Sequence, residues 1–244
     1  MIDHTVVTRG RTGALLLGAA GVAWLLTVER MRGMDAGPGT DLGGLGWYLG
    51  IWVTMTAAMM LPSVLPQVSR LARRARALLF TVGYLAVWTA YGLVAYALYR
   101  FVTSFDTGWL AWDQGGPYTA GGLIFAAGIY ELLPLKQRSL RRCRVAHHSE
   151  GAFRSGLTHG LDCVGCSGGL MLVLFAVGVM SLFWMAIVAA AIFAEKVLPR
   201  GPALSRFVAL ALVILGIWVA AAPGSVPGLT DPDGSPAMEM EMAP

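Results

Sequence analysis

His159, Cys163 and Cys166 are spaced four and then three residues apart in the apolar run Thr158-His-Gly-Leu-Asp-Cys-Val-Gly-Cys-Ser167. On a helix that spacing puts all three on one face, one turn apart each time. Asp162, four residues before Cys166, borders the same face. Sulfur and imidazole ligands stacked in this way can hold copper(I), zinc or iron. A carboxylate in an apolar segment is costly and usually marks a site. The C-x-x-C spacing also suits a dithiol that cycles between oxidation states, although no thioredoxin-like strand pattern surrounds it. Both cysteines can equally be small packing residues. Gly156, Gly160, Gly165, Gly168 and Gly169 fit that alternative, because small residues let helices approach closely.

Three further groups could contribute. Met55, Met59 and Met60 lie in the run Trp52 to Pro62, with Met55 and Met59 a turn apart. Their thioethers suit copper(I), although methionine in an apolar helix is more commonly packing. Pro62 and Pro66 are expected to bend or end that helix and to free backbone carbonyls. Glu131, followed by Lys136, and the pair Glu195-Lys196 each close an apolar run. Interfacial ion pairing is the first reading of both, and a ligand or proton carrier is the second. The tail Met238-Glu-Met-Glu-Met242 alternates soft donors, and His147-His148 stands near Cys143 in a basic stretch.

The elements that position these residues follow from composition. Of 244 residues, 56% are hydrophobic and only 13% are charged. A soluble domain of that size needs a more polar surface. The apolar runs are long rather than alternating, so the fold class is all-α, a polytopic membrane helical bundle. About seven spans are expected, near 12–28, 45–66, 77–101, 118–135, 156–179, 181–198 and 203–222. The fifth and sixth are joined so closely that a tight hairpin around Ser181 is expected, with one long bent segment as the alternative. Residues 1–222 form the membrane-spanning domain, and 223–244 a disordered tail. Three cysteines make no secreted disulfide framework. Arg9 and Arg11 precede the first apolar run without a convincing cleavage site, so that helix is expected to be retained.

The net charge of +4 invites a nucleic-acid reading. No aromatic-plus-basic module supports it, and no nucleic-acid partner is expected. The basic residues instead fill short connections: Arg70, Arg73, Arg74 and Arg76; Lys136, Arg138, Arg141, Arg142, Arg144 and Arg154; Lys196, Arg200 and Arg206. With seven spans these share one side with Arg9 and Arg11. The positive-inside rule makes that side cytoplasmic, placing the N-terminus inside and the C-terminus outside. Asp35, Asp41, Asp106 and Asp113 fall opposite, with Trp109 and Trp112 as interface anchors, while Arg30 and Arg32 count mildly against the scheme. His159, Cys163, Glu131 and Glu195 would then share one depth near the cytoplasmic face.

Several ordered motifs resemble a known family. They are Trp52…Met59-Met60-Leu61-Pro62; Tyr130…Pro134-Leu135-Lys136…Arg141-Arg142-Cys143-Arg144; Gly160…Cys163-Val164-Gly165-Cys166…Leu170-Met171; and Trp184-Met185…Glu195-Lys196…Pro199. Together they resemble the predicted metal-binding integral membrane proteins of a bacterial family of unknown function, DUF2182, from about Trp47 to Val219. The resemblance implies metal binding without a settled metal or reaction. It implies that Cys143, Cys163 and Cys166 match family cysteines, and that Met59, Met60, Glu131, Glu195 and Lys196 fall in its motif blocks. This chain departs from the pattern where Ser139 replaces a cysteine that would pair with Cys143. It also has Ser167-Gly168 where the family often has Cys-Trp, and Glu131 where glutamine is frequent.

The leading expectation is a metal-binding protein of the bacterial inner membrane that handles copper or supports assembly of a membrane metalloenzyme. Zinc and iron are the alternative metals. Its partners would be the lipid bilayer and other membrane protein subunits. The alternatives are a metal-ion or small-solute transporter and an accessory structural subunit of a membrane enzyme complex. A catalytic metal would need more hard or imidazole ligands than four histidines offer, with only His159 in a span.

Overall fold

The computed structural model describes residues 4–32, 42–69, 71, 73–105, 115–145, 151–178, 181–199 and 201–227. They form eight α-helices: α1 His4–Met31, α2 Leu45–Val68, α3 Arg74–Thr103, α4 Gly116–Leu132, α5 Pro134–Cys143, α6 Ala152–Val177, α7 Leu182–Val197 and α8 Gly201–Ala221. A short 3-10 turn, Pro223–Ser225, follows. No strand occurs among the described residues. The helical-bundle class therefore stands, and each of the seven expected segments is a helix.

Among the described residues, five helices are long and apolar enough to cross a membrane, or six spans result if α4 and α5 count as one bent span. α4 and α7 have 17 and 16 residues, fewer than the roughly 20 of a full crossing. The centre of the bundle is α2 and α6, each with 61% of its apolar window buried. For α1, α3 and α8 that share is 28% to 33%, so these line the outside. Leu25, Val94 and Phe207 are exposed there, an apolar exterior suited to lipid.

Two breaks shape the site. Leu133 is extended (φ −65°, ψ 143°) and separates α4 from α5 with a 67° bend. Its cause is Pro134, whose ring disfavours the helical conformation of the residue before it. The fourth expected segment, 118–135, thus ends at Leu132, and part of the connection read as basic loop is helix α5. At the other break Gly178 has φ 105°, and Ser181 caps α7 by accepting from the Trp184 N–H at 3.5 Å. The chain between the fifth and sixth segments is therefore interrupted at glycine rather than being one continuous helix. By contrast α2 runs on to Val68 through both Pro62 and Pro66, so neither proline ends it. Nearby, Ser63 Oγ donates to the Met60 carbonyl at 2.8 Å.

Small residues bring helices into backbone contact. A Cβ on Gly83 would stand 2.4 Å from the Phe153 carbonyl, and one on Gly156 would stand 2.1 Å from that of Phe80. Only glycine lets α3 and α6 touch so closely. Gly121 faces the Gly216 carbonyl at 2.5 Å in the same sense, joining α4 to α8. The first contact carries Tyr84 to Cys163, and the second carries Ser205 to Glu131.

Asp35, Asp41, Asp106, Asp113, Trp109, Trp112, His147, His148, Arg70, Arg200 and Met238 to Met242 lie outside the described residues. At the start of the tail, Trp218 Nε1 donates to Ser225 Oγ at 2.8 Å.

Candidate metal centre

Cys143 ends α5, while Cys163 and Cys166 occupy consecutive turns of α6. All three are buried free thiols. Their sulfurs lie within 4.8 Å of one another, and the Cys143 and Cys166 sulfurs are 3.3 Å apart. Local sequence explains the convergence. In α5 the buried residues are Lys136, Leu140 and Cys143, spaced four and three apart, while Arg141 and Arg142 are exposed. The helix is amphipathic, and its inner face carries the thiol to α6. There Gly165 makes room: a Cβ on it would stand 2.6 Å from Ser139 Oγ.

Cys163 is the best supported of the three. Lys196 Nζ donates to its sulfur at 2.8 Å, and the Tyr84 hydroxyl lies 2.9 Å from the same atom. Lys196 Nζ is also 3.9 Å from Met60 Sδ. An ammonium inside a helical bundle needs an acceptor nearby, and the Cys163 sulfur is the one it meets. Cys166 Sγ reaches the Cys163 carbonyl and Ser167 Oγ, both at 3.4 Å. These are soft donors on buried side chains, a set that favours copper(I), zinc or iron–sulfur chemistry over hard cations. Three sulfurs fall one short of the four ligands of a structural zinc site.

The expected site residues divide among three places. Cys163 and Cys166 sit in the sulfur group, with Met60 at its edge. His159 is buried beside it but outside it, its ring 5.7 Å from Phe80 and 5.9 Å from Tyr84. Asp162 turns toward Arg142, 3.9 Å away. Met55 and Met59 are buried in the apolar core. Glu131 and Glu195 meet each other elsewhere, on either side of the Lys136 ammonium. Glu131 thus pairs with Lys136 as anticipated, whereas Glu195 turns from its neighbour Lys196 to the same Lys136. Lys196 is left to the thiols. The shared polar site envisaged for these residues is two clusters.

Three contributors escaped the spacing argument. Cys143 entered only through the resemblance, because its basic surroundings read as loop; the Lys136-Leu140-Cys143 spacing was the available signal. Lys196 read as half of an ion pair with Glu195. Tyr84 carries no sequence signal, since its role depends on the α3–α6 contact.

Helical bundle and sulfur centre together define a class: an all-helical protein with several helices long and apolar enough to cross a membrane and a buried three-cysteine group suited to a soft metal. The chain belongs to the PpoB2 family, described as a copper chaperone, whose family model matches residues 49–219. The matched stretch nearly coincides with the one over which the sequence motifs run. No curated protein and no solved structure gives a match.

Proposed function

We propose that this protein is a copper(I) chaperone embedded in the bacterial inner membrane, with Cys143, Cys163 and Cys166 as the ligands of its cargo. The observation that carries the reading is the convergence of three buried sulfurs from α5 and α6 within 4.8 Å. Family membership supports copper as the metal. Charge supports it as well. Copper(I) on two thiolates beside one ammonium sums to zero, with the third sulfur serving as a neutral donor. Neutrality matters where burial penalises net charge.

In this reading each neighbour has a task. Lys196 balances the sulfur charge. Tyr84 and Lys196 hold the Cys163 thiolate ready when the cargo has left. Met60 offers a thioether next to the thiols. Zinc and iron remain the competing metals. The recipient is a membrane metalloenzyme or a subunit of its complex, reached through exchange of sulfur ligands. The N-terminus is cytoplasmic and the C-terminus extracytoplasmic, by the distribution of arginine.

The test is metal analysis of protein purified from copper-supplemented cells. Stoichiometric copper that is lost in Cys163→Ser and Cys166→Ser supports the proposal. Copper-free wild type, or copper retained by both variants, contradicts it.

A further inference from the structure

Lys136 is fully buried, and its ammonium touches three acceptors: Glu131 Oε2, Glu195 Oε2 at 2.6 Å and Ser205 Oγ at 2.7 Å. An ammonium has three N–H donors, so this one is saturated. The carboxyl groups are not. Each presents its second oxygen, Oε1, with no hydrogen-bond partner among the described residues. Both glutamates are 1% exposed.

The charges around the node do not cancel. Two ionised carboxylates and one ammonium leave one negative charge. Ser205 and Gln137 add only neutral groups: Gln137 Nε2 donates to Ser205 Oγ at 3.0 Å and to the Glu131 carbonyl at 2.9 Å. The Tyr130 hydroxyl is directed away, to the Gly165 carbonyl at 2.6 Å. Lys196, next to Glu195, is committed to Cys163. Arg144 donates to the Leu198 carbonyl at the start of the α7–α8 connection. Arg138 and Arg206, nearest in sequence on α5 and α8, are exposed. A carboxyl group so placed takes up a proton in preference to bearing unbalanced charge. Protonation also supplies an O–H donor where two bare acceptors stand.

We propose that Glu131 and Glu195 form a buried proton-binding site that holds one exchangeable proton between them, with Lys136 fixed at its centre. The site is linked to the thiol centre by two shared helices. α5 carries Lys136 and, two turns on, Cys143; α7 carries Glu195 and, next to it, Lys196. A proton gained or lost at one end alters the charge on the elements that hold the sulfurs at the other. The linkage rests on the copper reading; the proton site does not.

Infrared difference spectroscopy of the full-length protein in lipid nanodiscs tests both parts. At neutral pH the wild type should show the C=O band of a protonated carboxyl group, shifted in D2O and lost at alkaline pH. Glu131→Gln and Glu195→Gln should each remove or displace it. Glu195→Asp, which keeps the acid, should move it without deleting it should the amide variants fail to fold. No band in wild type, or a band indifferent to all three substitutions, overturns the proton site. Adding copper(I) should perturb the band. A band unmoved by copper that is shown to be bound by metal analysis overturns the linkage alone, while failure to bind copper overturns the chaperone reading and leaves the carboxyl band as its own test.

Discussion

The ammonium of Lys196 is the residue-scale feature that distinguishes this sulfur group from three cysteines packed as small apolar residues. A half-buried lysine aimed at a thiol at 2.8 Å is a cost that packing does not require. Its removal should therefore act on metal binding. Lys196→Met is expected to weaken copper(I) binding by roughly 10–100-fold, the usual cost of losing a group that supports a metal ligand. Lys196→Arg should retain most of the affinity. Competition against a chromophoric copper(I) chelator measures both, and equal affinities for wild type and Lys196→Met would show that the ammonium has no part. His159 should behave differently. Because its ring lies against Phe80 and Tyr84, outside the sulfur group, His159→Asn is expected to keep full copper stoichiometry by metal analysis. The spacing of His159, Cys163 and Cys166 pointed to the face of α6 on which two of the three converging sulfurs lie but could not show that the His159 ring packs apart from them. That distinction depends on what packs opposite, and the sequence around Tyr84 gives no sign of it.

At the scale of elements, the site depends on how closely α3 and α6 touch. Gly156 has no room for a side chain, its would-be Cβ lying 2.1 Å from the Phe80 carbonyl. Gly156→Leu should force the helices apart and destabilise the protein by about 1–3 kcal/mol, the range for overpacking. It should also withdraw Tyr84 from Cys163 and reduce copper retention. Gly18→Ala, with nothing within 4 Å of the new carbon, should leave copper unchanged and keep or slightly raise thermal stability, since alanine favours the helix interior over glycine. Melting curves with metal analysis compare the two, and a Gly156→Leu protein of wild-type stability would contradict the close contact. Long apolar runs made α1, α2, α3, α6 and α8 legible from composition. α5 was not, because its arginines hid an inner face of Lys136, Leu140 and Cys143. The bend at Leu133 was written in Pro134, yet its consequence, a third thiol swung onto α6, is visible only in three dimensions.

For the whole molecule, the decisive features are two polar clusters inside an apolar bundle. Topology follows from the number of crossings. An odd number, five or seven, places the ends on opposite sides, and tags at both termini should then show the N-terminus cytoplasmic and the C-terminus outside; tags on one side would mean an even number, such as the six obtained when α4 and α5 form one bent span. A copper chaperone of this design requires that the three sulfurs bind copper(I). X-ray absorption spectroscopy of protein purified from copper-supplemented cells tests that most directly. About one copper(I) per chain with a first shell of sulfur is expected, diminished in Cys143→Ser, Cys163→Ser and Cys166→Ser alike. A metal-free protein, or copper with a first shell of nitrogen and oxygen that survives those substitutions, would contradict it.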